Sequence, residues 1–173
     1  MNIKIVSGGQ TGVDQAGLEA AVEMGLDFGG WAPHGWMAEK WPREGGGPEN
    51  GLVPSRYRVK MREYHDFGSR ADNYRERTKA NIRDSHATLI LVDALPLGGG
   101  TKLTEDTAVS LMRSHKVIVM SAANAKAEAL AWLRQFRGLA GALILNVAGP
   151  RESKVPGIQA RAKAFLKEVL CEA

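Results

Sequence analysis

The sequence predicts an α/β fold of three layers, in which a mainly parallel sheet is flanked by helices. Short apolar runs rich in β-branched residues alternate along the chain with segments of helical periodicity. These helical segments are long enough to serve as the crossover connections that parallel strands require. With 173 residues, 44% of them hydrophobic, the chain is large enough for one buried core. We therefore expect a single Rossmann-like domain over residues 1–173.

The first part of the chain begins with a βα unit. Residues 3–7 form a β-branched run, and apolar residues then recur at helical spacing from Val13 until Gly25 gives a stop signal. A second strand is predicted over residues 28–32. Residues 39–55 are rich in glycine and proline and show neither helical nor strand periodicity. We interpret them as a long loop that closes over a bound ligand.

The alternation continues to the end of the chain. In order, the patterns predict a polar helix over 69–84, a buried strand over 87–92, a helix over 102–113, a strand over 116–120, a helix around 130–136, a strand over 142–147 and a closing amphipathic helix over 158–169. In a sheet of this kind, ligands bind at the carboxyl ends of the strands, where neighbouring connections leave to opposite faces. We therefore look for a site in the loops that follow the strands.

Two glycine-rich turns each follow a strand-like run and open into a helix-like run. They are Gly8-Gly9-Gln10-Thr11-Gly12 and Gly98-Gly99-Gly100-Thr101, and Ser7 and Asp14 flank the first. Free backbone N–H groups at a helix N-terminus, together with the helix dipole, favour a phosphate. Two such turns predict a phosphate-bearing ligand, although the glycines would also suit a tight turn without a ligand. The first turn has neither the spacing of the dinucleotide motif nor the Gly-Lys-Ser/Thr ending of the Walker motif, so ordinary NAD or ATP enzymes are not expected.

The densest basic stretch lies between the two turns. Residues 56–83 carry nine Lys or Arg side chains against four Asp or Glu, in a chain of net charge +4. On a helix, Asn73, Arg77 and Asn81 share one face, from which the Arg77 guanidinium could reach a phosphate. The other reading of this stretch is a solvated helix face. No recognition motif accompanies the charge, so nucleic acid is not an expected partner.

Several kinds of site are not expected from the sequence. The single cysteine, Cys171, allows no disulfide within the chain and suits a reducing compartment. There is neither a signal-peptide profile nor an apolar run that could span a bilayer, so we expect a cytoplasmic protein. The four histidines, His34, His65, His86 and His115, show no metal-ligand spacing and have no cysteine partner. A metal held by protein ligands is therefore not expected.

Five motifs together resemble the molybdenum (molybdenum-cofactor) carrier proteins over almost the whole chain. They are residues 7–14 (SGGQTGVD), 30–35 (GWAPHG), 77–84 (RTKANIRD), 98–101 (GGGT) and 145–153 (LNVAGPRES). The resemblance implies that the protein binds the molybdenum cofactor, a pterin dithiolene with a terminal phosphate, as carrier or store and without converting it. Molybdoenzymes would be the recipients, and we expect a homo-oligomer, either a dimer or a tetramer.

That family is similar in turn to the lysine-decarboxylase-like "lonely guy" phosphoribohydrolases, which release a base from a nucleoside monophosphate. Their motif reads Pro-Gly-Gly-x-Gly-Thr-x-x-Glu, but here Leu97 replaces the proline and Thr104 stands where the glutamate is expected. Glu105 comes one residue later, which rotates its side chain by about 100° around a helix. We therefore expect phosphate binding without hydrolysis. The alternative is a phosphoribohydrolase that uses Glu105 and Arg77, or a sensor of a nucleotide-derived ligand.

The expected pocket combines both glycine turns, Arg77 and the loop after the last strand, where Arg151 and Ser153 are candidates for contact with the phosphate. No catalytic residue is assigned in this reading. The position of Glu105 separates the two hypotheses, because a carboxylate in the pocket would favour the hydrolase and one on the helix flank would favour the carrier.

Overall fold

A six-stranded parallel sheet forms the centre of the fold. The computed structural model describes residues 1–39, 50–65 and 70–173. Within them the strands are β1 (Ile3–Val6), β2 (Asp27–Ala32), β3 (Met37–Glu39), β4 (Asn50–Leu52), β5 (Met61–Glu63), β6 (Ala87–Val92), β7 (Ser114–Val119) and β8 (Leu143–Ala148). The large sheet has the order β5-β2-β1-β8-β6-β7, and every pair in it is parallel. Strands β3 and β4 form a separate antiparallel pair.

Helices cover both faces of this sheet. They are α1 (Val13–Glu23), α2 (Ser55–Arg58), α3 (Arg70–Arg83), α4 (Gly99–Ser110), α5 (Ala125–Leu133) and α6 (Ile158–Glu172). Helix α6 packs against α1 and α5, whereas α3 packs against α4. The predicted three-layer α/β architecture is therefore confirmed. No helix in the described part of the chain has the length and apolar character needed to cross a membrane.

The core lies between the sheet and its two helical layers. All six residues of β6 are buried, as expected for a central strand that is covered on both faces. Strands β1 and β8 add the fully buried side chains of Ile5 and Leu145. Helix α1 leaves β1 towards α6, while α4 follows β6 towards α3. The connections therefore diverge around β8, and a crevice can form there at the carboxyl edge of the sheet.

The structure corrects the sequence prediction at several places. Helix α4 begins at Gly99, inside the glycine turn, and not at residue 102. The predicted loop over 39–55 is wrong at its ends, where Glu39 belongs to β3 and residues 50–52 form β4, because three-residue strands are too short to show a period of two. Residues 40–49, and with them most of the proposed lid, lie outside the described residues. Strand β5 cannot be recognised in the sequence, because it has only three residues and two of them are charged.

Candidate functional site

A cleft of about 600 Å³ lies at the carboxyl ends of β1, β6 and β8. Its volume is in the range of small-molecule sites, about 300–1,000 Å³. The walls come from the first glycine turn, helix α3, the second glycine turn with the start of α4, and the loop that follows β8. The lining includes these predicted site residues: Gly8, Gln10, Asp14, Arg77, Gly98, Gly99, Gly100, Thr101 and Arg151.

The second glycine turn presents an open helix N-terminus to this cleft. The first backbone hydrogen bond of α4 runs from the Lys102 N–H to the Gly98 carbonyl, at 3.3 Å. The N–H groups of Gly99, Gly100 and Thr101 precede it, and no described residue accepts a hydrogen bond from them. A Cβ added at Gly98 or Gly100 would meet no atom within 4 Å. Both the donors and the space that an anion needs are therefore present.

The end of the first glycine turn, where α1 begins, is closed by the protein itself. The N–H of Gly12 donates to Gln159 Oε1 at 3.1 Å, and the N–H of Val13 donates to the Pro150 carbonyl at 3.2 Å. A Cβ at Gly12 would lie 2.3 Å from that carbonyl oxygen, and φ is +82° there. The expectation of free N–H groups is therefore wrong at these two positions. Gly12 permits a close approach between the start of α1 and the loop after β8.

A buried ion pair stands in the cleft wall between the two turns. Arg77 Nη1 lies 3.2 Å from Asp14 Oδ2, and the side chains are only 12% and 6% exposed. Burial raises the pKa of Asp14, while the Arg77 and Arg151 charges and the N–H of Gln10 act against that rise. Arg77 Nε has no hydrogen-bond partner among the described residues. One side of the guanidinium is therefore neutralised by Asp14, and Nε is left for another partner.

The face of α3 that carries Arg77 is buried and not solvated. Asn81 accepts a hydrogen bond from the Trp31 N–H at 2.8 Å and donates to the Trp31 carbonyl at 2.9 Å. Asn73 accepts one from the N–H of His34 at 3.1 Å. These two amides fix α3 to the end of β2. Arg77, which lies on the same face between them, is thereby held against the first glycine turn.

Further polar groups line the cleft. The Arg151 guanidinium lies 5.3 Å from the centroid of the Tyr74 ring, and Lys154 lies nearby in the lining. Gln10 is 2% exposed, and its Nε2 has no described hydrogen-bond partner. Asp93, also in the lining, is paired with Arg161. The cleft thus combines cations with an unused amide donor.

Comparison with known proteins agrees with this architecture. The family described as "Circularly permutated YpsA SLOG family" matches residues 5–170. The chain belongs to this family. Among solved structures, a "Putative molybdenum carrier protein" from Syntrophus aciditrophicus SB is 32% identical, covering 98% of this chain and 96% of that chain, with a TM-score of 0.78. A search of curated proteins gave no match. The resemblance to molybdenum carrier proteins is therefore confirmed.

In this member of the circularly permutated YpsA SLOG family, Glu105, the carboxylate closest in sequence to the glutamate position of the hydrolase motif, lies away from the cleft. Thr104 lines the cleft, and its hydroxyl donates to the Gly100 carbonyl at 3.0 Å. Glu105 is absent from the lining and pairs with Lys102 on the flank of α4, at 3.2 Å. Glu105 stands one residue after Thr104, and one residue on a helix rotates the side chain by about 100°, which accounts for its position outside the cleft.

Five predicted site residues do not line the cleft: Ser7, Gly9, Thr11, Gly12 and Ser153. The Ser7 hydroxyl donates to the Val147 carbonyl at 2.8 Å. One oxygen of the Glu39 carboxylate accepts hydrogen bonds from the Thr11 hydroxyl at 2.8 Å and from the Ser153 N–H at 3.4 Å. In the structure these groups connect the first turn with β8, β3 and the last loop.

Sequence reasoning missed Tyr74 and Lys154. Tyr74 precedes Arg77 by three residues, so the two share a helix face, and a search along that face would have found it. Lys154 directly follows the 145–153 motif. No periodicity marks it, because it lies in a loop.

Proposed function

We propose that the protein binds a phosphate-bearing heterocyclic molecule in this cleft and carries or stores it. The molybdenum cofactor is the cargo that we propose. The observation that carries the proposal is the open N-terminus of α4, whose free N–H groups face the same cleft as Arg77, Arg151 and Lys154. Similarity to a putative molybdenum carrier protein supports the choice of cargo.

The phosphate end of the ligand fits the second glycine turn. Backbone N–H groups and the helix dipole both favour negative charge at this position. The empty space beside Gly98 and Gly100 would let phosphate oxygens approach the backbone. Arg151 and Lys154 add positive charge in the lining. The first turn contributes Gly8 and Gln10 to the wall and is not proposed as a second phosphate site.

The heterocyclic end fits the donors deeper in the cleft. Gln10 Nε2 and Arg77 Nε are buried and have no described partner, and an unmade hydrogen bond of a buried group costs about 1–3 kcal/mol. A pterin offers ring nitrogens and a carbonyl oxygen as acceptors, and binding would satisfy these groups. The Tyr74 ring offers a flat apolar surface. Molybdenum would arrive chelated by the pterin dithiolene, so the proposal requires no metal ligand from the protein.

A nucleotide-derived ligand is the second candidate. A nucleoside monophosphate also has a phosphate and a flat heterocycle, so the same donors would suit it. The phosphoribohydrolase alternative has less support, because Glu105 points to the helix flank and Asp14 is paired with Arg77. Binding without conversion is therefore the function that the cleft favours.

As a carrier, the protein would act in the cytoplasm, deliver its cargo to molybdoenzymes and form a homo-oligomer. Size-exclusion chromatography with light scattering would test the oligomeric state. Transfer would be tested by adding the loaded protein to an apo-molybdoenzyme and measuring the recovery of activity.

The decisive experiment is mass spectrometry of small molecules released from freshly purified protein. We expect a pterin phosphate or its oxidation product at a stoichiometric level. Gly100→Val should purify without the molecule, while the matched control Gly138→Val, at an exposed position with no neighbour within 4 Å, should retain it. A nucleotide in its place would favour the second candidate. Equal loading of both variants would contradict the assignment of the phosphate site.

A further inference from the structure

We propose that His34, Glu63 and His65 form a binding site for a divalent transition metal such as Zn²⁺. One ligand atom from each residue can be chosen so that all three lie within 4.8 Å of one another. The two imidazole Nδ1 atoms are 3.1 Å apart, and His34 Nδ1 lies 3.0 Å from Glu63 Oε1. None of the three residues lines the cleft, so the site is independent of the function proposed above.

Two of these separations are close to those within a tetrahedral metal site, because zinc bonds to nitrogen and oxygen of about 2.0–2.2 Å place neighbouring ligand atoms about 3.3–3.5 Å apart. The third pair, His65 and Glu63, is farther apart, with 3.9 Å between His65 Nε2 and Glu63 Oε2, so the exposed His65 side chain must move towards Glu63 when an ion binds. In the free protein, a single hydrogen can lie between the two Nδ1 atoms, since two facing N–H groups would repel. A metal cation in place of that hydrogen would bind the lone pairs of both Nδ1 atoms and the Glu63 carboxylate.

The fold explains why residues so far apart in sequence meet. Strands β2 and β5 are parallel neighbours, with Ala32 opposite Glu63, so the segments that leave them adjoin. The Tyr64 N–H donates to the Ala32 carbonyl at 2.9 Å and extends this pairing by one residue. Glu63 and His65 are separated by one residue in extended chain and therefore point to the same side.

The turn that carries His34 is also fixed. Buried Asn73 accepts the hydrogen bond from the His34 N–H, and the Gly35 N–H donates to the Glu63 carboxylate. Gly35 has φ of +71°, which allows the tight turn. The backbone of His34 and the carboxylate of Glu63 are thus held in place before any ion binds, which favours affinity.

The donor set indicates the class of metal. Two imidazoles and one carboxylate suit Zn²⁺ and neighbouring transition metals, whereas Mg²⁺ and Ca²⁺ prefer oxygen ligands alone. Three protein ligands leave a fourth position for water or another molecule. The side chains of His34 and His65 are 50% and 67% exposed, so an ion has access from solvent.

The test is titration of untagged, chelator-stripped protein with Zn²⁺ by calorimetry, and with Co²⁺ by its visible absorption. We expect one equivalent to bind and Mg²⁺ not to compete. His34→Ala and His65→Ala should each weaken binding by more than about a hundredfold, and Glu63→Gln by at least about tenfold. Mutating even a residue that only hydrogen-bonds a metal ligand lowers metal affinity by about 10–100-fold. Zn²⁺ should also raise the melting temperature of the wild type and not that of His34→Ala.

Two variants provide the controls. His115→Ala removes a histidine outside the cluster, and Cys171→Ser removes the exposed thiol, so both should bind as the wild type does. Both cluster histidines are exposed, and circular dichroism would verify that their variants are folded. The proposal is overturned if the wild type binds no stoichiometric Zn²⁺, if the His34→Ala/His65→Ala double variant still binds, or if Cys171→Ser abolishes binding.

Discussion

The guanidinium of Arg77 occupies the space that a side chain at Gly8 would fill. Its Nη1 atom lies 1.5 Å from the position of a Cβ on Gly8, and the same nitrogen lies 3.2 Å from Asp14 Oδ2. The absence of a side chain at position 8 therefore permits the buried ion pair in the cleft wall. Gly8 therefore serves this packing.

Gly8→Ala should displace Arg77 from Asp14 and destabilise the protein. Breaking a buried ion pair costs about 3–5 kcal/mol in unfolding free energy, and chemical denaturation would measure the loss. Gly138→Ala is the matched control and should change stability by less than about 0.5 kcal/mol, since its Cβ meets open space. In an Arg77→Ala background, the part of the cost that comes from displacing Arg77 should disappear, while the close contact of the new Cβ with Asp14 Oδ2, at 2.8 Å, remains. An equal cost in both backgrounds would show that Arg77 is not the obstacle.

Arg77→Ala should make stability more sensitive to pH. Burial raises the pKa of Asp14 above its ordinary value of 3.8, so the folded protein holds this proton more tightly than the unfolded chain does. The resulting contribution to stability is fully present below pH 3.8 and is lost as pH rises through the raised pKa. Removing the Arg77 charge raises that pKa further, so the variant should lose more stability as pH increases.

Urea denaturation from about pH 4 to about pH 8 would measure this difference, which should grow as pH rises through the raised pKa of Asp14. Asp14→Asn in the Arg77→Ala background removes the titrating group and should abolish the extra pH dependence. A constant difference between the wild type and Arg77→Ala over this range would mean that the carboxylate does not depend on Arg77.

The two glycine turns should respond differently to substitution. Gly98→Val places its side chain in the open space of the cleft and should weaken the binding of phosphate ligands with little change in stability. Gly9→Val should instead destabilise the fold, because φ is +76° there and a Cβ would lie 2.9 Å from the Val53 side chain. Calorimetric titration with phosphate and thermal denaturation would measure the two effects. Wild-type affinity in a folded Gly98→Val would argue against the anion site.

The sequence predicts most of the fold because long buried elements have strong patterns. Strand β6 is predicted at the bounds that the structure gives, since a strand covered on both faces is an unbroken apolar run. Short elements such as β3 and β5 cannot be predicted from the sequence, because three residues cannot show a periodic pattern. The start of α4 was missed because Gly99 and Gly100 are poor helix formers that the helix nonetheless includes.

Some features of the candidate site can be predicted from the sequence, and others cannot. Arg77 and the second glycine turn can be found from local patterns, since each belongs to one element. The closure of the first turn cannot, because it depends on Pro150 and Gln159, far along the chain. His34 and His65 likewise meet only through the pairing of β2 with β5. Contacts between segments that are far apart in the chain produce no recognisable pattern of residue spacing in a single sequence.

The position of Glu105 leads to the last prediction, which separates a carrier from an enzyme. In the hydrolase motif the glutamate stands beside the sugar, and a positioned charge is usually the largest catalytic contribution. Here Thr104 lines the cleft, while Glu105 pairs with Lys102 on the flank of α4. Incubation with nucleoside 5′-monophosphates should therefore release no free base above background, as measured by chromatography. Thr104→Glu alone should not create strong activity, because the glycine pattern also differs. Turnover by the unmodified protein that Glu105→Gln abolishes would assign the catalytic role to Glu105.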